Sequence, residues 1–126
     1  MKKTLFASFA LLFFINLATA QIYIDGKELR QESTQFIEVE FIGVLGSADV
    51  RMLVDYGQNI GFIDRRNRLV SDKKGKALIF NSAVHGLNWL YQEGYEVTEV
   101  YNRSVGGNNV NTDLVYLVKK IRRAAE

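Results

Sequence analysis

Phe80–Val100 reads FNSAVHGLNWLYQEGYEVTEV, and its reading decides the fold. Asn81 or Ser82 can cap a helix, the side-chain oxygen accepting from a backbone N–H that has no partner inside the helix. Val84, Leu87 and Leu90 with Tyr91 recur at the spacing of one helical face, flanked by Ala83 and Trp89. Gly94 stands where a left-handed residue ends a helix. Tyr95–Tyr101 then predicts a strand, in which Val97 and Val100 break strict alternation, so a bulge near Glu99 is expected.

Working outward, Phe36–Val44 alternates Ile37, Val39 and Phe41 with Glu38 and Glu40, the pattern of a strand with one wet face. Gly43 and Gly46-Ser47-Ala48-Asp49 supply turn residues, and Val50–Tyr56 predicts the returning strand of an antiparallel hairpin. Downstream, Gly106-Gly107-Asn108-Asn109 predicts a second hairpin turn. It leads into Thr112–Lys119, whose two faces both carry apolar residues, as in a central strand. The order β-β-α-β-β predicts an α+β fold, a two-layer sandwich with one helix laid across a four-stranded antiparallel sheet. The single domain is placed at 36–120, with a charged tail at 121–126.

The first twenty residues do not belong to that domain. Met1-Lys2-Lys3 is a positive n-region, Leu5–Leu17 an apolar h-region, and Ala18-Thr19-Ala20 a cleavage site, so 1–20 is expected to be a secretory signal removed after Ala20. The apolar run is too short to span a membrane, and no second run of spanning length follows. A secreted or periplasmic bacterial address is expected. Residues 21–35 are polar around an Asp25-Gly26 turn, a short strand or a loose arm.

Export changes the charge balance. The whole chain has 16 Lys+Arg and 14 Asp+Glu; losing Lys2 and Lys3 leaves 14 of each. A neutral exported domain is a poor nucleic-acid binder. The absence of Cys excludes disulfides and thiolate metal sites, and one His is too few for the usual zinc sites, so no cofactor or metal is expected.

Three groups of residues could carry function. Arg65, Arg66, Arg68, Lys73, Lys74 and Lys76 crowd a loop of otherwise irregular sequence and suit an acidic glycan, a phosphate surface or an acidic protein. Phe36, Ile42, Val44, Leu53, Val115 and Leu117 would make the sheet face away from the helix apolar. Leu53, Val115 and Leu117 are the candidate interface for a homodimer or an envelope partner. Glu38 and Glu40, two apart on one strand face, or His85 on the helix, would serve a small hydrolase acting on glycan or peptide. No nucleophile elbow, HExxH, EF-hand or phosphate-loop pattern accompanies them.

The pattern LNWLYQEGYEVTEV followed by LVYLVKK resembles the domain-of-unknown-function 4177 family of small bacterial proteins over Asn81–Lys120, with Tyr95 in place of the family's usual Trp. FIEVEFIG, VRMLVDYGQ and GKALIFNS look like secreted Bacteroidetes versions of the same architecture. The resemblance implies the fold and an envelope address, and no catalytic activity. The expected function is therefore a non-enzymatic exported binding or protein-interaction module, with the hydrolase as the alternative.

Overall fold

The computed structural model describes residues 21–30, 33–59, 66–104 and 112–121. The expected signal segment, Ile60–Ile63, Arg65, the Gly106–Asn109 turn and the tail beyond Ile121 lie outside the described residues. The elements are β1 (Tyr23–Ile24), β2 (Lys27–Glu28), β3 (Phe36–Gly43), β4 (Val50–Asp55), a 3-10 turn (Arg66–Arg68), β5 (Val70–Ser71), α1 (Ala83–Gln92), β6 (Tyr95–Ser104) and β7 (Thr112–Lys120). The fold is α+β: one helix, a four-stranded antiparallel sheet in the order β4-β3-β7-β6, and a three-stranded sheet in the order β2-β1-β5. No helix among the described residues is long and apolar enough to cross a membrane.

The helix begins and ends as its sequence predicts. The Ser82 Oγ accepts from the His85 N–H at 3.2 Å, and Gly94, with φ +90°, closes the last turn. The buried side differs from the expected stripe. Val84 and Tyr91 are 65% and 61% exposed, while Gly86 and Leu90 are buried and Ala83 and Leu87 half-buried. Gly86 causes this rotation. A Cβ there would lie 2.4 Å from Phe41 Cε1 and 3.0 Å from Met52 Cε, so the missing side chain lets the helix settle onto the sheet. Ile37, Val39, Met52, Val54 and Val118 line the helix-facing side of the sheet and share one core with Leu90 and Tyr95.

The segment expected as a polar arm is part of that core. Ile22, Ile24 and Leu29 are buried in it, with Tyr23 turned outward between the two isoleucines. Asp25 and Gly26, at φ 50° and 75°, make the tight turn that returns β2 along β1. The irregular stretch before the helix closes the core at a second place. Leu69 and Phe80 bridge to Leu53 and Val50 along the outer edge of β4, and Phe80 exchanges two backbone hydrogen bonds with Val50 at 2.8 and 2.9 Å. Val70 is fully buried there. Unpaired edge N–H and C=O groups of β4 thus find partners. The β6–β7 register slips between Val97 and Glu99, as the broken alternation predicts. Thr98, the extra residue, donates its hydroxyl to the Leu117 carbonyl at 3.1 Å.

The slip decides which side chains of β6 share a face with β3. It puts Glu99, Tyr101 and Arg103 opposite Leu117, Val115 and Asp113. Paired residues point to one side of a sheet, so these side chains join Glu38 and Glu40, which pair with Leu117 and Leu53.

Candidate functional site

On the side of the sheet away from the helix, the sequence predicts an open apolar surface. Leu53 and Val115 are instead 2% and 0% exposed, and Leu117 is half-buried. The two leucines and the valine share this side with charged side chains that bond to one another. Leu53 and Val115 therefore offer no contact surface as they stand.

The charged group is built from three distant pieces of sequence. Arg68 arrives on the 3-10 turn, which is stapled to β4 because Gln58 Nε2 donates to the carbonyls of Val54 and Asn67 at 2.9 and 3.2 Å. Arg68 Nη2 then donates to Glu40 Oε1 at 2.8 Å, and Arg103 Nη1 donates to the same oxygen at 3.1 Å. Arg103 Nη2 and the Tyr101 hydroxyl both donate to the Glu38 carboxylate. Partial burial alone would push the Glu38 carboxyl up. The bonds from Tyr101 and Arg103, with the charges of Arg103 and Arg68, outweigh burial and hold it below the ordinary value. The Tyr101 hydroxyl is pushed up, mainly because Glu38 holds its proton in a hydrogen bond. Burial would lower the Arg103 guanidinium, but its bonds to Glu38 and Tyr101 raise it instead.

Beside this network the sheet opens. The β3–β7 ladder runs only from Phe36–Lys119 to Val39–Tyr116. Beyond that pair β3 continues with β4, to Gly43–Val50, and β7 continues with β6, to Thr112–Ser104. The two hairpins part, and a cleft of about 480 Å³ lies between them. Glu40, Phe41 and Ile42 form one wall and Asp113, Leu114 and Tyr116 the other, with Arg68, Arg103 and Leu53 on one side and Ala83 of α1 on the other. Phe41 and Tyr116 meet edge to face at 5.7 Å between ring centres. Arg68 Nε is buried and has no hydrogen-bond partner among the described residues. The volume lies within the range of ~300–1,000 Å³ typical of small-molecule sites.

The residues singled out in the sequence fall in different places. Glu40 and Arg68 line the cleft, and Glu38 stands behind them in the network. Glu38 and Glu40 are not a solvated pair, since Arg103 bridges them. Among the described residues the basic run does not form one patch. Arg68 is spent on Glu40, Arg66 opens the 3-10 turn, and Lys73, Lys74 and Lys76 stand exposed on a separate tight turn. Asp72 Oδ1 organises that turn by accepting from the backbone N–H of Lys74 and Lys76 at 2.8 and 2.9 Å. His85 serves the helix start: its Nδ1 accepts from the Asn81 N–H at 3.1 Å, and its ring meets Phe80 edge-on at 5.5 Å. Among the described residues no group of three or more His, Cys, Asp or Glu could hold a metal ion.

Sequence reading missed Tyr101, Arg103, Asp113 and the aromatic wall. A signal existed for Arg103. Glu38-x-Glu40 and Tyr101-x-Arg103 repeat at the same two-residue spacing, and a bulge after Val97 brings both onto one face.

Comparison with family models, with curated proteins and with solved structures finds no match for this chain.

Proposed function

We propose that this chain is an exported, non-enzymatic binding module of the bacterial envelope, a two-layer β-β-α-β-β sandwich extended by a small N-terminal sheet, and that its binding site is the cleft between β3 and β7. The observation that carries this is the division of labour around Glu40. Its carboxylate is committed to two arginines, which leaves a preformed cleft walled by fixed charges and apolar side chains. A hydrolase built on Glu38, Glu40 or His85 would need one of these carboxyls kept protonated or one of these bases left free. Glu38 is held ionised by Tyr101 and Arg103, and His85 caps the helix and has no carboxylate among its described partners. The address rests on residues 1–20, and Leu53 and Val115, being buried, are not available as dimer contacts as they stand.

Two assays test this. Fractionation of cells carrying the full gene should find the protein outside the cytoplasm with Gln21 as its first residue; an intact N-terminus in the cytoplasm would contradict export. The purified protein should show no turnover of chromogenic glycoside, ester and peptide substrates. Turnover that disappears in a folded Glu40→Gln variant would establish the hydrolase instead.

A further inference from the structure

The cleft also indicates its ligand, on the condition that it is the binding site. Its charges cancel: Arg68 and Arg103 stand against Glu40 and Asp113. An anion drawn by the guanidiniums would meet two carboxylates, and a cation drawn by the carboxylates would meet two guanidiniums, so the site selects neither by net field. It is nonetheless rich in fixed hydrogen-bonding groups. Arg103, whose side chain is 36% exposed, presents its guanidinium to the cleft and is pinned there by Glu38 and Glu40. Asp113 is exposed and takes part in no hydrogen bond or ion pair among the described residues, so its carboxylate is an acceptor facing the same space. A hydroxyl both donates and accepts. Adjacent hydroxyls on a neutral ligand can therefore accept from Arg103 and donate to Asp113, its partner across β6 and β7. The remaining wall is apolar and partly aromatic, with Leu114 and Tyr116 open to the cleft. A molecule with one edge of hydroxyls and one face of C–H groups matches both walls, and sugars have that construction.

We infer that the cleft between β3 and β7 binds a neutral saccharide, its hydroxyls held by Arg103 and Asp113 and its C–H face laid on Leu114 and Tyr116. The lysine turn at Lys73–Lys76 takes no part.

The test is calorimetric titration of the purified protein with neutral trisaccharides (cellotriose, maltotriose and tri-N-acetylglucosamine), a galacturonic acid trimer, and trilysine. Asp113→Ala and Leu114→Ala, both at exposed positions, accompany it, with Tyr116→Leu as a third variant and Lys73→Ala/Lys74→Ala as control. The expected result is binding of at least one neutral trisaccharide, weakened tenfold or more by each cleft variant and unchanged in the control. Preference for the galacturonic acid trimer or trilysine, still lost in the cleft variants, would overturn the saccharide assignment and leave the binding module standing. Saccharide binding indifferent to all three cleft variants would overturn the site. No binding of any probe would overturn the saccharide assignment, and a pull-down from envelope extract that also fails to retain any component in a cleft-dependent way would overturn the module reading with it.

Discussion

Replacing Glu40 with Gln separates a carboxylate that holds structure from one that does chemistry. Glu40 is 10% exposed in its side chain and Arg68 12%, so this pair is close to fully buried. Removing one partner of a buried pair costs about 3–5 kcal/mol, because the other charge is left without compensation. Two features reduce that figure here. Arg103, the second donor, is 36% exposed and keeps its bond to Glu38, so water and Glu38 recover most of its share. The Gln carbonyl, in the place of Oε1, can also still accept both hydrogen bonds, though without the charge. The expected loss is about 2–3 kcal/mol, roughly a 10–20 °C fall in Tm for a domain of this size. Urea unfolding followed by circular dichroism measures it, with an unchanged m-value showing that the native state stays compact. A loss below about 0.5 kcal/mol, or a gain, would refute the reasoning, because active-site groups are commonly neutral or stabilising to replace.

Gly86→Ala sets helix propensity, which favours Ala by about 1 kcal/mol, against a Cβ placed 2.4 Å from the Phe41 ring. Overpacking of about 1–3 kcal/mol should win, giving net destabilisation that Phe41→Leu relieves; a variant more stable than the parent in urea would show that the helix does not rest there. Ile24→Ala should cost about 2–5 kcal/mol if β1 belongs to the core, whereas a change under about 0.5 kcal/mol in the same assay would return residues 21–35 to a loose arm. Glu38 has a depressed carboxyl, so its stabilisation is present above the ordinary carboxyl value of 4.5 and is lost as pH falls through its own lower value. The stability difference between the parent and Glu38→Gln should therefore be constant near neutrality and shrink below about pH 4.5. A difference that grows with acid would contradict the bonds from Tyr101 and Arg103. Glu93 acts in the opposite sense, because burial raises its carboxyl and acid relieves the cost of its charge, so the comparison must be made between variants and not on the parent alone.

Local signals in the sequence carried the parts of the fold that local physics determines. Ser82 and Gly94 bound the helix because capping acts within one turn, and the slip at Thr98 shows as a broken two-residue period. The small sheet was harder to see. Ile22, Ile24 and Leu29 are only three aliphatic residues in a polar stretch, and β1 reaches the core by pairing with Val70, far along the chain. Nothing in the local sequence reports the role of Gly86, since the clash it avoids lies on β3 and β4. Arg68 looked like one member of a basic loop. Its bond to Glu40 spans 28 residues, and no periodicity reports a contact of that range. Leu53 and Val115 were placed on the correct side of the sheet, but that side is closed by charged groups brought together only by the fold.

The most direct test of the cleft as the binding site is a titration of the isotope-labelled protein with the neutral trisaccharides, following backbone amide shifts by NMR. The account predicts saturable changes concentrated at Phe41, Ile42, Asp113, Leu114 and Tyr116, with Lys73, Lys74 and Lys76 unmoved. Shifts confined to the lysine turn would contradict the cleft as the site, and none at all would contradict the saccharide as its ligand.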